Sequence, residues 1–222
     1  MTGRASRVLG LLTLVVYPAG LHAQPRPPDS VRTAAARVRA AVDAIAEPAR
    51  QRRQLAGMVV LAIRAGDTLL HRAYGLAEVE NGVPLTTGHV FQLASITKQF
   101  TAAAVLRLAG EGRVDLEASI TRYLPDAPTQ GHPITVRQLL THTSGIPDYA
   151  ESPRIRTLKR LDLPPDSLVG LVRGTPLYFA PGDQMRYSNT GFVLLGQLIE
   201  RVTRMPYHTY VEEHLLRPMG AT

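Results

Sequence analysis

The strongest constraint on the fold is an imbalance: one β-hairpin pattern, followed by helices. Gly57 to Arg64 (Gly-Met-Val-Val-Leu-Ala-Ile-Arg) is dense in β-formers, Ala65-Gly66-Asp67 reads as a turn, and Thr68 to Tyr74 continues as a second strand. Before it, Val31, Ala35, Val38, Val42 and Ile45 form one apolar helical stripe, with Asp29 or Ser30 as the expected cap and Pro48 expected to end or kink the helix. A helix followed by an antiparallel hairpin points to an α+β lobe and away from a βαβ unit. After Thr87-Gly88 the pattern turns helical. Helices are expected from Ser95 to about Glu111, from Thr135 through Leu140, from Pro164-Pro165-Asp166, from Asn189 through Val202, and after Pro206.

The first residues have the form of an export signal. Arg4 and Arg7 precede the apolar run Val8–Val16, and a cleavage point follows Ala23 in Leu21-His22-Ala23-Gln24. The run is well short of the roughly 20 residues that a membrane span needs. Residues 1–23 are therefore expected to be a cleaved signal peptide, 24–28 a Pro-rich spacer, and the product periplasmic or secreted with no stable membrane anchor. The chain contains no cysteine, which excludes disulfides, thiolate metal sites, a Cys nucleophile and a lipoprotein anchor.

The net charge of +7 invites a nucleic-acid reading, but losing Arg4 and Arg7 with the signal leaves +5. The basic residues are nearly all scattered arginines, Lys occurring only at 98 and 159, and no nucleic-acid-binding motif accompanies them. A solvated Arg-rich surface is the reading adopted, with no nucleic-acid partner. The histidines at 71, 89, 132, 142, 208 and 214 show no metal-ligand spacing, so no metal and no organic cofactor is implied.

Two short motifs carry chemistry. Ser95-Ile96-Thr97-Lys98 opens an apolar helix, and residues three apart lie on one helical face, so the amine reaches the hydroxyl. A serine hydroxyl is a poor nucleophile until a neighbouring base takes its proton. Lysine can be that base where its neutral form is favoured, as burial beside the positive end of a helix dipole does. With eight Ser and two Lys in the chain, chance supplies only roughly 0.07 such pairs. The ordinary alternative is an N-cap serine followed by an exposed lysine. The second motif is Tyr187-Ser188-Asn189, after the turn Pro181-Gly182-Asp183. Its ordinary reading is a buried tyrosine followed by an asparagine capping the next helix. Its functional reading is a phenol relaying a proton and an amide holding a substrate carbonyl.

In this order the motifs resemble the superfamily of class C β-lactamases, DD-peptidases and family VIII esterases. The resemblance extends over Phe91-Gln92-Leu93-Ala94-Ser95-Ile96-Thr97-Lys98-Gln99-Phe100-Thr101, over Leu139-Leu140-Thr141-His142-Thr143-Ser144-Gly145-Ile146-Pro147, and over Pro181-Gly182 to Leu195-Gly196, and covers about 57–222. It implies a β-lactamase/transpeptidase-like fold in residues 29–222: an antiparallel sheet flanked by helices (29–87) plus an all-helical lobe (about 100–215), with the active site between them. It implies a serine hydrolase working through an acyl-enzyme on an amide, β-lactam or ester of a small-molecule or peptide-like substrate. Ser95 becomes the acylated nucleophile, its own N–H one oxyanion donor, Lys98 its base, Tyr187 the proton relay and Asn189 the contact to the substrate amide. His142 in His-Thr-Ser-Gly lies before Tyr187, whereas the family's third motif follows it, so His142 is read as structural. The Ser-Asp-Asn triplet of class A enzymes is absent.

That third motif, a Lys or His followed by Ser/Thr and Gly on a late strand, has no match here. The chain stops at Thr222, where family members are only partway through. The resemblance therefore reads the chain as C-terminally truncated, with an unpaired hairpin edge and with this stretch by itself poorly stable and weakly active. The alternative is a non-catalytic binding domain or inactive relict of the same fold.

Overall fold

In the computed structural model the chain is described over residues 28–52, 54–155 and 163–221. The expected signal peptide, most of the spacer and Lys159 lie outside these residues. Among them no helix is long and apolar enough to cross a membrane. The chain divides into two compact units, 1–91 and 92–222.

The first unit is built on a three-stranded antiparallel sheet in the order β1 (Gly57–Arg64), β2 (Asp67–Glu78), β3 (Val83–Pro84). Positive φ at both Ala65 (49°) and Gly66 (87°) makes the β1–β2 link a primed two-residue turn, whose twist matches that of the strands. Leu69 is left out of the register between Ala62↔Leu70 and Ile63↔Thr68, a bulge close to the turn. β2 runs four residues beyond the expected Tyr74. Its extension bonds the brief β3, which tolerates Pro84 because it is an edge strand. At the crossing of the chain near β1's start, a Cβ on Gly75 (φ +77°) would sit 2.2 Å from the Ala56 carbonyl oxygen, so only glycine fits.

Helix α1 (Asp29–Gln51) covers one sheet face. Its Asp43 accepts from the Tyr74 hydroxyl at 2.6 Å and from Arg72 at 3.3 Å, and the Arg72 guanidinium lies 5.1 Å from the Tyr74 ring centroid. Burial, reinforced by the Asp43 carboxylate, raises the Tyr74 phenol above its ordinary pKa and keeps it a donor. The opposite face presents Leu61 and Ile63, more than half exposed, and among the described residues β1 is paired along one side only. Two details of α1 correct the sequence reading. The helix passes through Pro48 and ends at Gln51, because a proline this close to the C-terminus disrupts only the last turn. Neither Asp29 nor Ser30 caps it: Pro28 holds the cap position and Asp29 is already helical, its carboxylate in the first turn.

The second unit is helical. A 3₁₀ turn (Ala94–Ile96) leads into α2 (Thr97–Gly110), followed by α3 (Val136–Leu140), α4 (Pro165–Gly170), α5 (Asn189–Thr203) and α6 (Tyr207–Val211), and then by single turns to Met219. α3 begins with the expected Thr135, in a full capping box with Gln138. α2 and α5 form the centre, burying Val105 and Leu108 against Leu194, Leu195, Leu198 and Ile199. Thr101 on α2 bonds Tyr207 at the start of α6 (2.7 Å), and Arg113 donates to the Val202 carbonyl near the end of α5 (2.8 Å). These ties fix α2, and with it the residues of its first turn.

The two glycines of the hairpin give a direct test of the first unit. In the full natural gene product, Gly75→Ala should lower the stability of this unit by at least about 2 kcal/mol, from strain plus a backbone collision. Gly66→Ala, with open space around it, should cost about 1–2 kcal/mol, the left-handed backbone alone. Equal losses in urea unfolding would show that the Ala56–Gly75 approach is not what the fold depends on.

Candidate active site

Ser95 and Lys98 share the entrance to α2. Ala94, directly before the serine, is held in the left-handed region (φ 47°), which costs a non-glycine residue roughly 1–2 kcal/mol. The start of α2 has no side-chain cap, so Ser95 is not the N-cap of the ordinary alternative. Its Oγ lies 2.6 Å from the Tyr187 hydroxyl and accepts from Lys98 Nζ at 3.4 Å. Its N–H is in the first turn, where helix donors lack intrahelical partners and are available to an anion.

Tyr187, 92 residues from Ser95, and Asn189, 91 residues from Lys98, arrive through a ladder between two loops. Tyr178 N donates to Gly145 O (2.8 Å), Gly182 N to Thr143 O (2.8 Å) and Arg186 N to His142 O (2.9 Å). Gly145 (φ +73°) is required here, since a Cβ would meet Phe179 O at 2.2 Å. Arg186 lies over the Tyr178 ring (3.9 Å) and both donate to Glu151, a pairing that holds the Glu151 carboxyl below its usual range.

At the head of α5, Ser188 rather than Asn189 is the cap. Ser188 is extended and its Oγ accepts from Gly191 N, which corrects the capping role considered for Asn189. The asparagine, as first helical residue, turns its side chain inward. Its Oδ1 accepts from Lys98 Nζ at 2.8 Å and its Nδ2 donates to Asp148 Oδ2 at 2.8 Å. Asp148 was not singled out in the sequence. Only 5% exposed, it also accepts from Asn189 N (3.1 Å) and, through Oδ1, from Ala150 N (3.0 Å). Its carboxylate thus sits at the positive end of α5 and fixes which way the Asn189 amide points. Ile146-Pro147-Asp148-Tyr149 carried one local signal, an acidic residue heading a turn, and Asp148 does cap the 3₁₀ turn Tyr149–Glu151.

His142 lies beside these groups without touching Ser95. Its Nδ1 accepts from Ser188 N at 3.1 Å, and its ring stacks 4.7 Å from Tyr187 and 5.1 Å from Phe192. Desolvation and the Lys98 charge lower its pKa against the opposing pull of Asp148, so the ring stays neutral and keeps its acceptor. It is a positioning residue for Tyr187.

Two effects compete on the Tyr187 phenol. Partial burial raises its pKa, but hydrogen bonds from Lys98 and Ser95 and the Lys98 charge together lower it below the ordinary 10.0. Lys98 Nζ also lies 4.7 Å from the Tyr187 ring centroid. The arrangement thus offers a hydroxyl, a phenol inclined to lose its proton, and an ammonium to stabilise the phenolate. That is the equipment for nucleophilic acyl transfer. Among the described residues no group of three His, Asp or Glu is placed to hold a metal.

Asp148 gives the prediction. Asp148→Ala leaves three donors unsatisfied and frees the amide to rotate, so stability should fall by about 2–4 kcal/mol and kcat/KM at least tenfold. Wild-type kcat/KM in a folded Asp148→Ala protein would remove the residue from the site.

Comparison with known proteins shows the family and the fold. The sequence profile of the Beta-lactamase family matches residues 42–222. Penicillin-binding protein 4* of Bacillus subtilis (strain 168) is 38% identical over 168 residues, 72% of this chain and 36% of that protein. The octameric penicillin-binding protein homologue from Pyrococcus abyssi superposes with a TM-score of 0.71 at 32% identity, over 82% of this chain and 43% of that one. EstCE1, a hydrolase with promiscuous acyltransferase activity, superposes with a TM-score of 0.71 at 27% identity, over 87% of this chain and 53% of that one. The chain spans little more than a third of the length of the curated relatives it matches. A profile match over most of the sequence, the shared fold and the Ser95–Lys98–Tyr187–Asn189 cluster together place this chain in the beta-lactamase family of serine hydrolases and penicillin-binding proteins.

Proposed function

We propose that this chain carries the acyl-transfer centre of a serine hydrolase that forms an acyl-enzyme on Ser95, acting on small ester or amide substrates, with β-lactams as the second substrate class. The observation that carries the reading is the 2.6 Å contact between Ser95 Oγ and a Tyr187 phenol whose pKa is lowered by Lys98. Tyr187 is nearer to Ser95 than Lys98 is, so the phenolate is the immediate acceptor of the serine proton and Lys98 the charge that makes it one.

In acylation, Ser95 Oγ attacks the substrate carbonyl as its proton passes to the Tyr187 phenolate, and the Ser95 N–H faces the developing oxyanion. Collapse of the tetrahedral intermediate breaks the bond to the leaving group, which takes the proton from Tyr187. In deacylation, water attacks the ester carbonyl and gives a proton to the phenolate. Ser95 then leaves as the alkoxide and recovers that proton from Tyr187. Asn189, held by Asp148, keeps Lys98 in place and offers its amide to a substrate carbonyl. The family resemblance assigns the second oxyanion donor to the late strand that has no match in this sequence.

The acyl-transfer reading is supported by the likeness to EstCE1, a hydrolase with promiscuous acyltransferase activity, and the β-lactam alternative by the penicillin-binding relatives. The competing reading is a binding domain of the same fold without turnover. Incubating the full natural gene product with a nitrophenyl acetate or a chromogenic cephalosporin and recording the intact mass separates them. A covalent adduct on Ser95 with steady release of nitrophenol is expected, and Ser95→Ala should abolish both, a loss of at least about 10³-fold. A folded wild-type protein that shows neither adduct nor turnover with both reagents contradicts the hydrolase reading.

A further inference from the structure

The second unit carries a cleft of about 980 Å³ that has no part in the site above: none of Ser95, Lys98, Tyr187 and Asn189 lines it. It lies between the distal half of α5, α4 with the turn after it, and the 123–127 stretch. Its apolar surface includes Leu124, Val169 and Leu194. Leu194, Gln197, Arg201 and Arg204 follow one another at spacings of three and four, so one face of α5 forms a wall of the cleft.

Charge is separated along that wall. Arg201 and Arg204 stand at the end of α5, and among the described arginines of the second unit theirs are the two guanidiniums without a protein partner. The acidic end begins at Gln197, one turn back, whose amide donates to Asp166 Oδ1 at 2.6 Å and leaves that carboxylate with acceptor capacity to spare. Arg173, beyond α4, donates to the Asp126 carbonyl at 3.2 Å, and the Asp126 carboxylate itself accepts from no described group.

Arg204 is the informative residue. It closes α5 in the left-handed conformation (φ 59°, ψ 25°), where glycine is the usual residue and a side chain is disfavoured. A basic residue in the last turn of a helix has an ordinary role, complementing the dipole, and Arg201 already fills it. A second arginine held at a strained position, one turn from the first, is what recognition of a carboxylate by two guanidiniums requires.

A polyanion does not suit the cleft, because Asp126, Asp166 and Glu200 line it as well. The lining matches a molecule with an anionic end, a cationic end and apolar groups between, which is the composition of a short peptide. From Leu194 to Arg204, α5 advances about 15 Å, a span that an extended chain covers in about four or five residues. The volume, at the top of the range of about 300–1,000 Å³ for ligand sites, accommodates an occupant of that size. We propose that the α4–α5 cleft binds a peptide of about four or five residues, its free carboxylate on Arg201 and Arg204 and its amino end toward Asp166. The proposal goes beyond the hydrolase reading and does not depend on it.

The test is binding of the tetrapeptide alanyl-leucyl-alanyl-leucine, followed by calorimetry on the full natural gene product carrying Ser95→Ala, so that no turnover intervenes. The free acid should bind, and its C-terminal amide at least about fivefold more weakly. Arg201→Gln and Arg204→Gln, both at exposed positions, should each weaken the free acid about fivefold and leave the amide unchanged. Acetylating the amino end should also weaken binding, and Asp166→Asn should erase that difference. Arg204→Gly relieves the left-handed strain, so it should raise the urea midpoint of the protein while it weakens the peptide. No heat of binding up to about 10 mM peptide overturns the proposal, as does equal binding of acid and amide. Binding unchanged in both glutamine variants overturns it too and assigns the two arginines to the helix end alone.

Discussion

The site depends on one buried carboxylate. Asp148 cannot take its place at low exposure without its donors, and the donors it collects belong to the head of α5 and to its own turn: Asn189 N, Asn189 Nδ2 and Ala150 N. That pairing orients the asparagine amide, so that Oδ1 faces Lys98. Lys98 in turn faces Ser95 and the ring of Tyr187. Each group in the chain is held by the one before it. A lysine on a flexible four-carbon stem is thereby kept where its charge acts on the phenol.

Three sequence segments must meet for this to happen, and each is locked by a different device. α2 presents Ser95 and Lys98 on a helix whose core face is buried against α5, with a strained alanine at its entrance. The 141–149 loop is shaped by Gly145, where no side chain fits, and supplies His142 and Asp148. The 176–188 segment is tied to that loop by backbone hydrogen bonds and to Glu151 by Arg186 and Tyr178, and delivers Tyr187. His142 serves this assembly by staying neutral: protonation would remove the acceptor for Ser188 N and add a second positive charge beside Lys98.

Much of this was legible in the residues because it is encoded locally. The hairpin follows from a run of β-formers around Ala65-Gly66, the α3 start from Thr135 as a cap residue, and the Ser95–Lys98 pairing from helical spacing. The features that were not legible depend on contacts distant in sequence. Asp148 meets Asn189 across 41 residues, and nothing beside it in the chain announces a buried acceptor. Ser188 and Asn189 are both good caps, and the choice between them is settled by Asp148 and Lys98 drawing the amide inward. Proline disrupts a helix interior, but the position of Pro48 in the last turn makes that effect small.

The account rests on Lys98 holding the Tyr187 phenol below its ordinary pKa, beside the nucleophile. The direct measurement is a pH titration of the protein carrying ring-labelled tyrosine, followed by NMR, with the Tyr187 signal assigned by Tyr187→Phe. The prediction is a midpoint below 10.0 that moves upward in Lys98→Met, because removing the positive charge destabilises the phenolate. A Tyr187 midpoint at or above 10.0, unmoved by Lys98→Met, would contradict it and leave the serine without its proton acceptor.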